Sequence, residues 1–274
     1  MRIHRLGLLA ALSVTALCGC ASPPLRQAVS ASAPVPYSVE RVQHDLALGD
    51  GVRTIRIVNP HGSVGIRNSQ QRILGMRAVI QRIGARPEVE TITFETRGDT
   101  AWLEISYPSD REHGVDAMLE GHRKGRVDLA VFVPPQMLVN VQSTYGKIDV
   151  RRIDNDVVAR TREGALVAAA TGFLQLTTDS GDLRAWPMRG KASGPFVLTT
   201  RSGSIVTDVP LYGELSLRVR TRGRIDSEFA VDRTQGAGFN VATKFVASGA
   251  QHFDVHSQTG NVYLQGATRP PTPQ

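Results

Sequence analysis

Apolar and polar residues alternate with a period of two through much of the chain, and glycines interrupt the alternation at corresponding places. With the chain aligned on Gly62, Gly146, Gly164, Gly181, Gly203, Gly223 and Gly260, the second residue after each glycine is Val64, Ile148, Leu166, Leu183, Ile205, Ile225 or Val262, aliphatic in every copy. Seven residues before the glycine stand Ile55, Val139, Val157, Leu174, Phe196 and Phe253, and five before it Ile57, Val141, Ala159, Leu176, Leu198 and Val255. Three before it come Asn59, Ser143, Thr161, Thr178, Thr200 and Ser257. The Gly223 copy fits with a turn one residue shorter, which brings in Leu217, Val219 and Thr221.

Period-two alternation puts these three positions on one face of a strand. Glycine permits the positive φ of a sharp corner. The aliphatic residue beyond it starts a second strand that points back into the same interior. Between Gly146 and Gly223 the glycines are 18, 17, 22 and 20 residues apart. The pattern therefore predicts an all-β protein, a parallel β-solenoid with coils of about 17–22 residues stacked around one apolar core. The hydroxyl and amide column would line the corner, bonding to turn backbone and to one another. An antiparallel sandwich with evenly spaced strands is the alternative; identical corners in register argue against it over 137–227.

Outside the repeat, Val89–Phe94 and Ala101–Tyr107 read as a hairpin turning at Arg97-Gly98-Asp99, and Val127–Val133 alternates again. The charged stretch Pro108–Arg126 reads as a loop, and 227–250 as an irregular, longer coil. Five segments result: a signal peptide over 1–19, a lipidated tether over 20–36, an N-terminal β region over 37–133, repeats over 134–266, and a proline-bearing tail over 267–274. The N-terminal β region supplies the first coil and a hairpin cap that extends or closes one end of the solenoid.

The repeated V-x-V-x-(S/T)-x-x-G-x-I pattern follows a Val133-Pro134-Pro135 segment, and the chain closes through Gly236-Ala237-Gly238-Phe239 and Phe253–Val262. In these features residues 50–265 resemble the bacterial DUF4097 family, provisionally described as adhesins with a β-strand repeat. The resemblance implies a repeated β fold and no established catalytic activity.

The first twenty residues form an address. Arg2 and Arg5 precede an apolar run, Leu6–Leu17, too short for the roughly 20 residues of a membrane span. Leu17-Cys18-Gly19-Cys20 then resembles the lipobox of bacterial lipoproteins, which implies cleavage before Cys20 and lipid on its thiol. Only Cys20 would remain, so no internal disulfide forms. Ala21 after the anchor implies, by resemblance to lipoprotein sorting, the outer membrane rather than the inner one, with the periplasmic face as the expected side.

Composition narrows the function classes. The net charge of +7 loses Arg2 and Arg5 with the signal, leaving +5, a modest and arginine-rich surplus. Export and few aromatics exclude a nucleic-acid partner. Arg218, Arg220, Arg222 and Arg224 alternate with apolar residues, and Arg160, Arg162 and Arg201 precede equivalent corners. All of these but Arg162 are the candidate anionic-ligand surface, since guanidinium groups bind carboxylate and phosphate; a solvated face is the bland reading. His252, Asp254 and His256 share a strand face but extend over about 13 Å, too far to hold one ion. Arg97-Gly98-Asp99 is a turn. Asp149 and Asp226, both three residues after a glycine, are placed three coils apart, so they form no acid pair. No catalytic motif, metal site or cofactor is expected. The expected role is a non-catalytic interaction or scaffold surface whose partner is an envelope glycan, lipopolysaccharide or an envelope protein; the alternatives are a surface adhesin and a polysaccharide-active enzyme.

Overall fold

The computed structural model describes residues 37–69, 71–84, 88–109, 125–188, 194–211, 214–246 and 251–267. The expected signal peptide, Cys20 and tether, most of the charged loop with His113 and His122, and the tail beyond Ala267 lie outside the described residues. Within them the protein is all-β, built as two large, mostly parallel sheets that face each other across one core.

The repeat copies form strand pairs that pass from one sheet to the other around the glycine corner. They are β2 and β3 (Thr54–His61, Val64–Asn68), β8 and β9 (Leu138–Tyr145, Ile148–Ile153), β10 and β11 (Asp156–Glu163, Leu166–Ala170), β12 and β13 (Leu174–Ser180, Leu183–Pro187), and β14 and β15 (Phe196–Ser202, Ile205–Pro210). Two more are β16 and β17 (Leu215–Thr221, Ile225–Ser227), and β20 and β21 (Gln251–Ser257, Val262–Ala267). The first member of each pair lies in the eleven-stranded sheet and the second in the ten-stranded sheet. Equivalent positions meet in register: Val139, Val157 and Leu174 are successive partners, as are Ile148, Leu166 and Leu183. The inward columns are almost wholly buried.

Both ends depart from a simple sequential stack. The Gly260 copy does not come last: β20 lies between β14 and β16, and β21 between β15 and β17. This places Phe253 against Phe196, with ring centroids 4.5 Å apart. Over its described residues, 227–246, the stretch expected as an irregular, longer coil is something else. Within it, β18 (Asp232–Gly236) and β19 (Phe239–Val246) form an antiparallel hairpin that covers the outer edge of β16. Its turn uses positive φ at Ala237 and Gly238.

At the other end β6 (Thr100–Ser106) pairs in parallel with β2, and β7 (Gly125–Val133) with β3. The hairpin at Arg97-Gly98-Asp99 is present, joining β5 (Thr91–Arg97) antiparallel to β6. Two long antiparallel strands, β4 (Ile73–Ile83) and β1 (Tyr37–Ala47), continue the ten-stranded sheet beyond β7.

The corner chemistry is also sharper than positive φ. Only four of the seven glycines have it: Gly62, Gly164, Gly181 and Gly203. What all seven share is contact with a neighbouring backbone. A Cβ on Gly164 would lie 2.3 Å from the Gly146 carbonyl oxygen, one on Gly181 2.1 Å from that of Gly164, and one on Gly203 2.1 Å from that of Gly181. The polar column serves this same ladder rather than bonding to itself. The hydroxyls of Thr161, Thr178, Thr200 and Ser257 donate to the carbonyls of Gly146, Gly164, Gly181 and Gly203 at 3.0–3.3 Å. Thr221 bonds likewise to Gly260, and Asn59 donates to the Val127 carbonyl. Ser143 is the exception, its buried hydroxyl having no partner.

Candidate functional site

With the core columns facing inward, the intervening residues form the outer face of the eleven-stranded sheet. Four residues before each glycine, one row reads Val58, Gln142, Arg160, Thr177, Thr199, His256 and, in the shortened copy, Arg220, all paired strand to strand. Glu104 on β6 continues it beyond Val58. Two residues along each strand a second row includes Pro60, Thr144, Arg162, Asp179 and Arg201.

The six candidate arginines do not form one stripe. Arg218, opposite Asp254, and Arg220, opposite His256, lie on β16, four strands from Arg160 on β10. At the usual strand spacing that is about 19 Å. Arg201 stands between them on β14. Arg220 and Arg222 are engaged by an aromatic ring, their guanidinium carbons 3.8 and 5.0 Å from the centre of Phe239. Arg224 is paired with Asp226 at 2.8 Å. Arg160, by contrast, is exposed and makes no ion pair among the described residues.

Arg160 lies in a groove of about 500 Å³ that crosses β6, β2, β8, β10 and β12. Val58 and Pro60 give it an apolar part, Gln142 and Thr144 an amide and a hydroxyl, and Arg160 and Arg162 its positive charge. Glu104 and Asp179 stand at its two ends. Ser143, the column residue with the unpartnered hydroxyl, also contributes to its lining. Arg160 and Arg162 were legible as basic residues before a corner; the groove across the strands was not, because β6 has no glycine corner to align. The fourth residue before each glycine is the column that would have revealed its long axis.

His252, Asp254 and His256 do face outward, beside Ser216, Arg218 and Arg220. Partial burial, then the Arg220 charge, hold the His256 imidazole below its ordinary pKa. On the other sheet Asp149 contacts Arg151 at 2.8 Å, Lys147 at 3.3 Å and Arg67 at 3.9 Å. Burial pushes its carboxyl up, but hydrogen bonds from Arg151 and Lys147 outweigh this and hold it below the carboxylate range. Four strands rather than three separate it from Asp226, because β21 intervenes out of sequence. A carboxylate neighbour that the spacing did not reveal is Glu228 to Asp208. Burial first, then the Glu228 charge, raise the Asp208 carboxyl, while Glu228 accepts the Gly266 N–H at 3.1 Å.

No known family matches the chain by sequence, and no curated protein matches it. Several solved structures are similar to it in fold at low overlap, among them the following three. One, from Clostridium sporogenes and provisionally described as a cell adhesion protein, shares 10% identity over 83% of this chain and 100% of its own, with a TM-score of 0.45. A second, from Bacteroides fragilis and provisionally described as an adhesin, shares 11% identity over 83% of this chain and 97% of its own, with a TM-score of 0.37. A third, from Parabacteroides distasonis and described in the same way, shares 7% identity over 83% of this chain and 97% of its own, with a TM-score of 0.31.

Proposed function

We propose that the protein is a non-catalytic lipoprotein, held through Cys20 at the periplasmic face of the outer membrane, whose repeats form a β-solenoid that serves as an interaction surface in the envelope. The solenoid reading is supported by strand pairs that alternate between the sheets and by a corner glycine that repeats in register. The anchor reading rests on Leu17-Cys18-Gly19-Cys20.

One observation carries the interaction role: the groove on the outer sheet face, with Arg160 exposed and unpaired within it. The same groove disfavours glycoside hydrolysis. Its end carboxylates, Glu104 and Asp179, stand on β6 and β12, four strands apart. That is about 19 Å, whereas an inverting acid–base pair is no more than about 9.5 Å apart.

Photo-crosslinking in the native envelope tests the reading. A crosslinker at Thr177, beside Arg160, is expected to capture a specific envelope component that one at Arg184, on the other sheet, does not. The same background from both positions would refute the role. A Cys20→Ser protein should lose membrane partitioning and the lipid mass; retained partitioning would refute the anchor. Protease shaving of intact cells distinguishes periplasmic placement from display as a surface adhesin.

A further inference from the structure

The groove has a direction and a repeat, and both constrain what fits it. It runs across the strands, so its successive polar groups come from successive passes of the chain, about 4.8 Å apart. That spacing is close to the length of one sugar unit in an extended glycan. A lipid head group spans too little of the groove to use it, and a protein partner would match it only by presenting a sheet face of its own. From β6 to β12 the groove covers four strand intervals, about 19 Å, or about four sugar units.

The chemistry along that line is not uniform. Glu104 stands at one end, Val58 offers an apolar patch next to it, Gln142 an amide, and Arg160 an unpaired guanidinium, with Asp179 at the far end. A guanidinium binds a carboxylate in a bidentate fashion, and amide and hydroxyl groups suit sugar hydroxyls and N-acetyl groups. Apolar surface suits the C–H face of a pyranose ring. A polymer with an acid on every unit would set its charges against Glu104 and Asp179. One with acids on alternate units can place a carboxylate at Arg160 and neutral sugars beside Glu104, Gln142 and Asp179, leaving one further acid, over β2.

We infer that the groove across β6, β2, β8, β10 and β12 binds a linear glycan in which acid-bearing and neutral sugars alternate, with Arg160 holding a carboxylate. This rests on the interaction-surface reading above and names its ligand class. Carboxylate alternation occurs in glycosaminoglycans and in peptide-free cell-wall glycan, so the probes must separate the two sources.

The test is calorimetry on the folded protein without its signal and lipid. The probes are a hyaluronan hexasaccharide, a peptide-free hexasaccharide of N-acetylglucosamine and N-acetylmuramic acid, a neutral chitin hexasaccharide, and glucuronic acid. At least one alternating hexasaccharide should bind, about tenfold or more tighter than the neutral one and tighter still than glucuronic acid. Which of the two binds identifies the source. Arg160→Ala should weaken that binding about tenfold and Arg160→Lys less, with unchanged melting curves, and Gln142→Ala should weaken it independently. No binding of either alternating probe, equal binding of the neutral one, or indifference to Arg160→Ala would overturn the inference. If both probes fail while the Thr177 crosslink captures an envelope protein, the glycan assignment falls and the interaction surface stands. If a bound glycan is cut, the assignment stands and the non-catalytic reading falls.

Discussion

The glycine ladder can be tested at Gly181, which lies between the Gly164 and Gly203 corners. In Gly181→Ala the new methyl would sit 2.1 Å from the Gly164 carbonyl oxygen and 2.6 Å from its carbon, both of them backbone. Relief requires the two passes to separate locally by about 1.4 Å, since carbon contacts are favourable only at about 3.5–4.0 Å. The bonds from Gly164 N to Ser180 O and from Leu166 N to Asp182 O, both between these two passes, are 2.9 Å. A shift of that size takes them past the hydrogen-bond range of about 3.2 Å. The Thr178 hydroxyl, 3.3 Å from the Gly164 oxygen, would also lose its acceptor. Three bonds at about 1 kcal/mol each, with strain for an alanine at φ +152°, give a loss of about 4 kcal/mol. That is a large part of the roughly 5–15 kcal/mol a domain has.

Urea unfolding followed by Trp102 and Trp186 fluorescence measures the loss, and two comparisons isolate its cause. Gly146 lacks the positive φ, yet a Cβ there would lie 1.9 Å from the Gly62 oxygen, so Gly146→Ala should be as damaging as Gly181→Ala. Gly98 has φ +61° but open space around it, so Gly98→Ala should cost only about 1 kcal/mol. A Gly146→Ala protein no less stable than Gly98→Ala would refute backbone contact as the reason for these glycines.

Phe253→Ala should cost about 3–5 kcal/mol by urea titration, because the ring is 1% exposed and stacked on Phe196; a loss under 1 kcal/mol would mean the rings are not packed together. Asp208→Asn should stabilise the protein at pH 7. The folded-state pKa of Asp208 is raised above its ordinary 3.8, so its contribution is fully present below that value and lost as pH rises through the folded pKa. The gain in melting temperature should therefore shrink towards pH 3, and a gain that persisted there would refute the electrostatic cause. Ending the chain at residue 250 removes an interior layer, β20 and β21, and should abolish cooperative unfolding; a shortened protein with a melting point near that of the full chain would refute the strand order.

The inward columns were legible because burial is written at every second residue: Ile55, Val139, Val157 and Leu174 show the same pattern in sequence and in register. The order of the copies was not. Gly260 has the same local chemistry as Gly203, and nothing in either corner says which neighbours it takes. Partner choice depends on long-range packing, such as Phe253 on Phe196. The hairpin of β18 and β19 was hidden for a different reason: its strands are mostly exposed, so no buried alternation marks them. The groove needed both missing pieces, the outer columns read across passes and the placement of Glu104 beside Val58.

The departures at the two ends have a common physical consequence. A parallel stack leaves an unpaired edge at each end of each sheet, and such edges invite pairing with other chains. Here the eleven-stranded sheet ends in antiparallel β5 at one side and in the β19–β18 hairpin at the other, and β1 ends the ten-stranded sheet beyond β7. The strand β18 is exposed throughout and carries Asp232 and Arg233, which blunt it as an edge. To make that hairpin the chain must leave the stack after β17 and then return, and the slot that remains to it is beside β14 and β15. The return joins strands far apart in sequence, which costs loop-closure entropy and slows folding. Antiparallel strands thus stand at three of the four sheet edges and the three-residue β17 at the fourth, while among the described residues nothing covers the outer face of the five strands of the groove. Protection is concentrated where an edge would aggregate, and the exposed polar surface is left where a ligand could lie across the strands.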